Sequence, residues 1–341
     1  MRLDQKRAVV ASEEPRPCLH IGLPKTATTW LQTFLFPDHD QIFYLGSYSG
    51  PRFPRRSGLD HCRNEEIRQV IRPLVYEGIE DAGLASSRRA FAAHVRPAIE
   101  RGLVPLYSLE SLSIDAPVRR RLRAENLRAV FGKARIVVVL RRPVDLIESS
   151  YFQILRRENF RGLYGRLWPI HSPLRYFGVD EWITEERDRE IPPHLEYAEV
   201  LDLYADLFGR ENLHVFLYEE LSADPERYLR RLCDVIGIDA DQGVRLALGR
   251  RVNERWTVPQ IERLRRITAS VSLSRLFARS NAILRLRILG MNRGHPFTRA
   301  PRATVEIAPH WRRWIEDRTR EGNRRLARDW HLPVVEHSYP T

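Results

Sequence analysis

Lysine is nearly missing from this chain: Lys6, Lys25 and Lys133 are its only three, against 53 arginines. Positive charge is therefore carried by planar guanidinium groups almost everywhere, and a lysine inside a turn is an exception that needs a reason. Cysteine is as scarce. Cys18, Cys62 and Cys233 are odd in number, far apart and form no C-x-x-C, which excludes a disulfide framework and a cysteine zinc site and predicts reduced structural thiols. Long apolar runs are absent too. No window approaches the roughly 20 apolar residues of a membrane helix, and "MRLDQKRAVVASEEPRP" lacks the apolar core of a secretory signal. The expectation is a soluble, cytoplasmic protein without internal repeats or low-complexity segments.

At 341 residues and 43% apolar the chain is long enough to bury a sizeable core. Its net charge of +12 is consistent with a polyanionic partner, whether nucleic acid, an anionic membrane surface or an acidic substrate, and equally with a compositional preference for Arg. Many arginines alternate with Glu and Asp in helical stretches, so charge alone decides nothing.

The pattern alternates strand and helix. Residues 18–22 read as a short buried strand and 28–36 as a helix, with a tight turn between. Residues 51–64 read as loop, followed by helices over about 64–82 and 86–101. A second strand is predicted over 103–109, a helix over 116–132 ended by Gly132, and a third strand over 135–140. The unbroken run "RIVVVL" suits a strand covered on both faces of a parallel sheet. A helix begins at Pro143, because Pro fits the first helical position. Residues 158–193, with Phe160, Tyr164, Trp168, Tyr176, Phe177 and Trp182, read as a long functional loop. Helix 195–208, strand 213–218 and helix 224–236 follow. The repeated order predicts an α/β fold with a central parallel sheet flanked by helices. The expected layout is a tail over 1–17, an α/β domain over 18–256 and a basic helical extension over 257–341 packed on the same domain. Within that extension "LSRLFARSNAILRLRILG" reads as an amphipathic surface helix.

Two constellations carry chemistry. A turn between a buried strand and a helix presents backbone N–H groups to phosphate, and Gly22 to Thr29 has that placement. It departs from the nucleoside-triphosphate loop G-x-x-x-x-G-K-[ST], because the lysine stands three places upstream and Thr28 takes its position. That disfavours a P-loop nucleoside or sugar kinase. Thr28 and Thr29 also suit a helix N-cap. A lysine, compact and rotatable, follows an oxygen whose charge changes during reaction better than the arginine fork does. The second constellation is "RIVVVLRRPVDLIESSYFQIL". Arg141 ends a strand and Ser149 lies eight residues on, so the pair could hold a second phosphate at the carboxyl edge of the sheet. Arg141 and Arg142 could instead pair with Asp145 or Glu148.

Together these motifs resemble one family. "GLPKTATTWLQ" resembles the 5′-phosphosulfate loop P-K-x-G-T-T-W of sulfotransferases that use 3′-phosphoadenosine 5′-phosphosulfate (PAPS), and "RRPVDLIESSYFQ" resembles their 3′-phosphate motif. Residues 197–238 are also similar to the stretch that follows in bacterial members. Ala27 departs from the usual Gly, which is tolerable only where φ is negative. The resemblance implies a P-loop-like fold in which Lys25 steadies the phosphosulfate bridge. The loop Pro24, Lys25, Thr26, Ala27, Thr28 and Thr29 would hold the 5′-phosphate, and Trp30 would stack near adenine unless it is a core aromatic. Arg141 and Ser149 would grip the 3′-phosphate, and "RVNERW", with Arg251 and Asn253, would close over the nucleotide. PAPS would be the co-substrate, with no metal. Glu110, just past the second strand, resembles the base that activates the acceptor hydroxyl; His20 is its rival and His94 a weaker one. The expected acceptor is a small molecule, glycan or lipid, with no nucleic-acid partner and a peripheral membrane contact through the basic C-terminal helices. A non-catalytic Arg-rich polyanion binder is the alternative outside enzymes.

Overall fold

The computed structural model describes residues 15–46, 70–71, 74–75, 81–160, 173–189, 191–250, 255–277, 280, 282–292 and 294–341. Among them five parallel strands form one sheet: β1 Cys18–His20, β2 Ile42–Gly46, β3 Val104–Ser108, β4 Arg135–Leu140 and β5 Leu213–Leu217, in the order β2-β3-β1-β4-β5. The sheet is buried on both sides, as the β-branched run of β4 predicts. Ile136, Val138 and Leu140 face one apolar cluster with Leu19 and Tyr107. Val137 and Val139 face another with Cys18, Val104 and Leu106. Burying each of these side chains is worth roughly 1.5–3 kcal/mol, so a polar residue anywhere in β4 would open one layer or the other.

Connections after β1 and β4 leave the sheet in opposite directions, β1 toward β2 and β4 toward β5. Such a reversal opens a crevice outside the carboxyl ends of the two central strands. Backbone pairing runs on past the strand ends: Ile21 N donates to Val137 O at 2.9 Å and Leu109 N to His20 O at 3.0 Å. The turns after β1 and β3 are thereby held over the same edge.

Helices form where their stop and start signals stand. Pro117–Phe131 ends at Gly132, whose φ is +65°. Pro225–Ile236 starts at Asp224, whose carboxylate accepts from Arg227 N at 3.0 Å, and stops at left-handed Gly237. Pro143–Asn159 has Pro at its first position and Asp145 in its first turn, where the helix dipole favours it. Helix Pro309–Trp330 and the chain end at Tyr339 contribute to the same apolar cluster as Leu19. Arg285, fully buried, donates to Asn159 O at 2.7 Å and fastens the C-terminal segment to the Pro143–Asn159 helix.

Several expectations are corrected. β2 and the helix Ala240–Ala247 have no counterpart in the sequence reading. Residues 158–193 are not one loop: Val179–Glu186 is helical, and Phe160 and Trp182 are buried in the core. Tyr164 and Trp168 lie outside the described residues, as do residues 51–64. The stretch 273–290 is two short helices, Val271–Leu276 and Ala282–Ile288, not one. Burial pushes the Cys18 and Cys233 thiols up to about 12, in keeping with inert structural cysteines. No helix among the described residues is long and apolar enough to cross a membrane.

Candidate active site

Four adjacent strands each place one functional side chain at the carboxyl edge of the sheet. Glu110 stands two residues past β3, Arg141 directly past β4, Tyr218 directly past β5, and Lys25 in the turn between β1 and the helix Thr28–Phe34. All four line a cleft of about 880 Å³, together with Thr28, Thr29 and Ser149. The two constellations singled out in the sequence therefore converge on one space.

The turn after β1 is folded tightly. A Cβ on Gly22 would lie 3.0 Å from His20 Nε2 and 3.3 Å from Thr28 Oγ1, so any larger residue would have to push His20 or Thr28 aside by a few tenths of an ångström. Thr26 points inward and its hydroxyl donates to Leu23 O at 2.5 Å. Thr26 and Pro24 are buried and do not line the cleft, so of the expected loop contacts these two support the turn from beneath. Lys25 and Ala27 are both left-handed, with φ of +68° and +65°. Ala27 is the N-cap of the following helix, which corrects the reading of Thr28 and Thr29 as the cap pair: they are its first two residues. The departure from Gly at position 27 falls at a positive φ, where a Cβ costs roughly 1–2 kcal/mol. The backbone N–H groups of residues 25 to 29 have no intramolecular acceptor among the described residues, and the first to be bonded is Trp30 N, on Ala27 O at 2.9 Å. A cradle of free amides and two hydroxyls is suited to phosphate oxygens.

Arg141 and Arg142 part company. Arg142 turns away and grips Asp145 through two bonds of 2.9 Å. Arg141 turns into the cleft, donates Nη1 to Lys25 O at 2.8 Å and lies over the Tyr218 ring at 4.3 Å. Its backbone is fixed by Tyr197, whose hydroxyl donates to Arg141 O at 2.7 Å. Arg141 Nε is buried without a hydrogen-bond partner among the described residues, which leaves one guanidinium donor unused by them. Glu148 pairs with Arg255 at 3.3 Å, not with Arg141.

Lys25 and Glu110 shift each other. Burial pushes the Glu110 carboxyl up to about 7, although the Lys25 ammonium and a hydrogen bond from Thr28 both pull it down. Burial lowers the Lys25 ammonium; Glu110 opposes that, while Arg141, Arg156 and Arg255 reinforce it. A carboxylate that changes state near neutrality beside a compact cation is the arrangement that proton removal at pH 7 requires.

His20 is placed differently. Its ring is fully buried, bonded through Nδ1 to Ser108 Oγ at 2.7 Å, edge-on to Phe36 at 5.5 Å, and it does not line the cleft. Burial pushes it down to about 3, so the ring is neutral. Gln32 donates to the same Ser108 Oγ at 2.9 Å, making a small polar knot beneath the turn. His94, at the end of the helix Asp81–His94, does not line the cleft either. Trp30 meets both readings: it is buried in the core and its edge lines the cleft. Arg251 and Asn253 lie outside the described residues.

Residues 17–242 match the profile of the sulfotransferase family. The chain belongs to that family. No curated protein matches it. Solved structures similar to this sulfotransferase include one from Alicyclobacillus acidocaldarius, at 20% identity over 79% of this chain and 99% of that one, with a TM-score of 0.44. A mouse sulfotransferase complexed with PAP is 14% identical over 96% of this chain and 90% of that one, with a TM-score of 0.40.

The sulfotransferase cleft also holds residues that the sequence reading missed. Gln153 stands one helical turn past Ser149, a spacing that would have found it. Tyr218 follows β5 as Arg141 follows β4. Arg250, Arg255 and Arg302 line the cleft, and only Arg255 had a signal, inside "RVNERW". Arg156, seven residues past Ser149 on the same helix face, has no hydrogen-bond or ion-pair partner for its side chain among the described residues.

Proposed function

We propose that this sulfotransferase takes its sulfuryl group from PAPS and delivers it in line to an acceptor hydroxyl or amine. The observation that supports this most is the convergence of two cation-and-hydroxyl sets, Lys25 with Thr28 and Thr29, and Arg141 with Ser149, on one cleft beside Glu110. The residues fit the nucleotide: amides and hydroxyls at the turn suit a 5′-phosphate, and Arg141 Nε, with no partner among the described residues, suits a second anion. Bound there, PAPS supplies a sulfuryl group on an anhydride whose phosphate side is the leaving group. Lys25 holds its ammonium where negative charge grows on that side, a contribution realised in the transition state. Glu110 accepts the acceptor's proton. The Tyr197 bond and the stack on Tyr218 keep Arg141 from swinging out of the cleft, so it is pre-organised for its anion. Screening acceptors with labelled PAPS identifies the acceptor's chemistry.

Binding distinguishes this reading from a kinase. 3′-Phosphoadenosine 5′-phosphate should raise the melting temperature more than ATP with magnesium does, by about 2.7 kcal/mol of added stability at 100 times its dissociation constant. Arg141→Ala and Ser149→Ala should weaken that nucleotide, the arginine by about 1.5–3 kcal/mol. Binding of adenosine 5′-phosphate to Ser149→Ala should hardly change. A larger shift with ATP and magnesium, or equal losses for both nucleotides in both variants, would return the site to the kinase reading.

A further inference from the structure

The cleft leaves one feature of the molecule unused. Residues 263 to 301 contain no carboxylate and nine arginines. Many arginines outside it are paired with acids, as Arg230 is with Glu226 at 3.0 Å and Asp241 at 2.7 Å, and Arg266 near its start reaches back to Glu262 at 3.7 Å. Within this segment Arg275 and Arg287 are exposed and have no side-chain partner among the described residues.

The same segment exposes large aliphatic side chains: Val271 at 63%, Leu273 at 45%, Leu276 at 70% and Leu284 at 46%. The exposure is built in. At about 100° per residue, Val271, Arg275, Ser272, Leu276 and Leu273 follow one another around half of the helix Val271–Leu276. Ser274 faces the other way, buried, and donates to Leu174 O at 2.7 Å. Ser270 caps the helix by accepting from Leu273 N at 3.3 Å. The helix is thus pinned with its leucines outward.

Charge decides what covers this face. A symmetric dimer would set the arginine-rich, acid-free segment against itself. A single-stranded nucleic acid would be met by aromatic stacking platforms, and among the described residues of this segment no aromatic is fully exposed. Leucines beside unpaired arginines match an anionic lipid surface, where apolar burial and attraction to headgroups act together. We propose that this segment is a membrane-docking surface. Leu273, Leu276 and Leu284 enter the headgroup boundary, and Arg275 and Arg287 meet lipid phosphates and carboxylates. The proposal stands apart from the sulfuryl-transfer reading, since it concerns other residues and is tested without turnover.

Co-sedimentation of the full chain with phosphatidylcholine vesicles, with and without phosphatidylserine, tests it. The chain should partition onto phosphatidylserine vesicles, less so as salt rises, and hardly onto phosphatidylcholine alone. Arg275→Gln with Arg287→Gln should lower partitioning by about twenty-fivefold, roughly fivefold per arginine. Leu273→Gln with Leu276→Gln should lower it tenfold or more. The melting temperature should hold in both, because the side chains are exposed. Absence of binding to phosphatidylserine vesicles, or binding that both double variants retain, overturns the proposal. So does tighter binding to duplex DNA or RNA through the same residues, or a dimer in light scattering that Leu276→Gln dissociates.

Discussion

Lys25 is worth one lysine in a chain of arginines because of where its charge stands. Its ammonium lies in the fields of Glu110 on one side and of Arg141, Arg156 and Arg255 on the other. A compact cation can turn its three donors as the charge on a nearby oxygen grows, whereas a guanidinium fork would hold one planar geometry. Lys25→Ala should lower turnover by on the order of a hundredfold, the scale of one lost transition-state donor. Lys25→Arg should not restore it, and a fully active Lys25→Arg enzyme would show that the position needs only a charge. On the proposed mechanism Glu110 gives the pH dependence. The base must be ionised, and its carboxyl sits at about 7, so single-turnover rate should rise with pH to a plateau, half-maximal near 7. Lys25→Ala removes a cation that holds Glu110 down, so the midpoint should move to higher pH in what activity remains. Glu110→Gln should remove the limb and slow chemistry by roughly a hundred- to ten-thousandfold. An unchanged pH profile in Glu110→Gln would take the base elsewhere.

At the scale of elements, the site is a set of turns held over the edge of a sheet, and the turn after β1 carries strain. Ala27 occupies φ +65° at the head of a helix whose next residues line the cleft. Glycine would relieve the left-handed Cβ but would lose more conformational freedom on folding. Ala27→Gly should therefore stabilise modestly, by about 0.5 kcal/mol, and Ala27→Val, β-branched where φ is positive, should destabilise by on the order of 1–3 kcal/mol. Urea unfolding of the two variants checks both signs. This turn also shows what was legible beforehand. Lys25, Thr28, Thr29, Arg141 and Ser149 could be placed at one edge because each stands in or just after a strand or helix whose pattern is unmistakable, such as "RIVVVL" before Arg141. The left-handed backbone could not be read, since alanine gives no sign of positive φ. β2 escaped because "IFYLG" is short, and the split of 273–290 because apolar spacing alone does not mark a break. Arg302 and Arg250 reach the cleft through tertiary packing, which leaves no local trace in a sequence.

For the whole molecule, the fully buried His20 and the half-buried Glu110 give the fold opposite responses to acid. His20 is fully buried and pushed down to about 3 from 6.5, so the unfolded chain takes up its proton first. Its contribution to stability is present above pH 6.5 and is lost as pH falls toward 3. Between pH 7.5 and 5.5 that loss is about 1.4 kcal/mol. Glu110 is raised from 4.5 to about 7, so the folded chain takes up its proton first. Its contribution is fully present below pH 4.5 and is lost as pH rises through 7; from 7.5 to 5.5 it gains on the order of 1 kcal/mol, discounted because the carboxyl is only half-buried. Burial lowers His194 to about 4 and also lowers His214, adding to the loss in acid. The separate contributions emerge from differences between variants. Relative to the native sequence, His20→Gln should gain about 1.4 kcal/mol on going from pH 7.5 to 5.5, and Glu110→Gln should lose on the order of 1 kcal/mol. Both are read from urea midpoints at the two pH values. If His20→Gln tracks the native sequence, its imidazole titrates freely and the neutral polar knot with Ser108 does not hold; if Glu110→Gln does, the carboxylate beneath Lys25 is solvated and its role as a base at neutral pH loses its physical support.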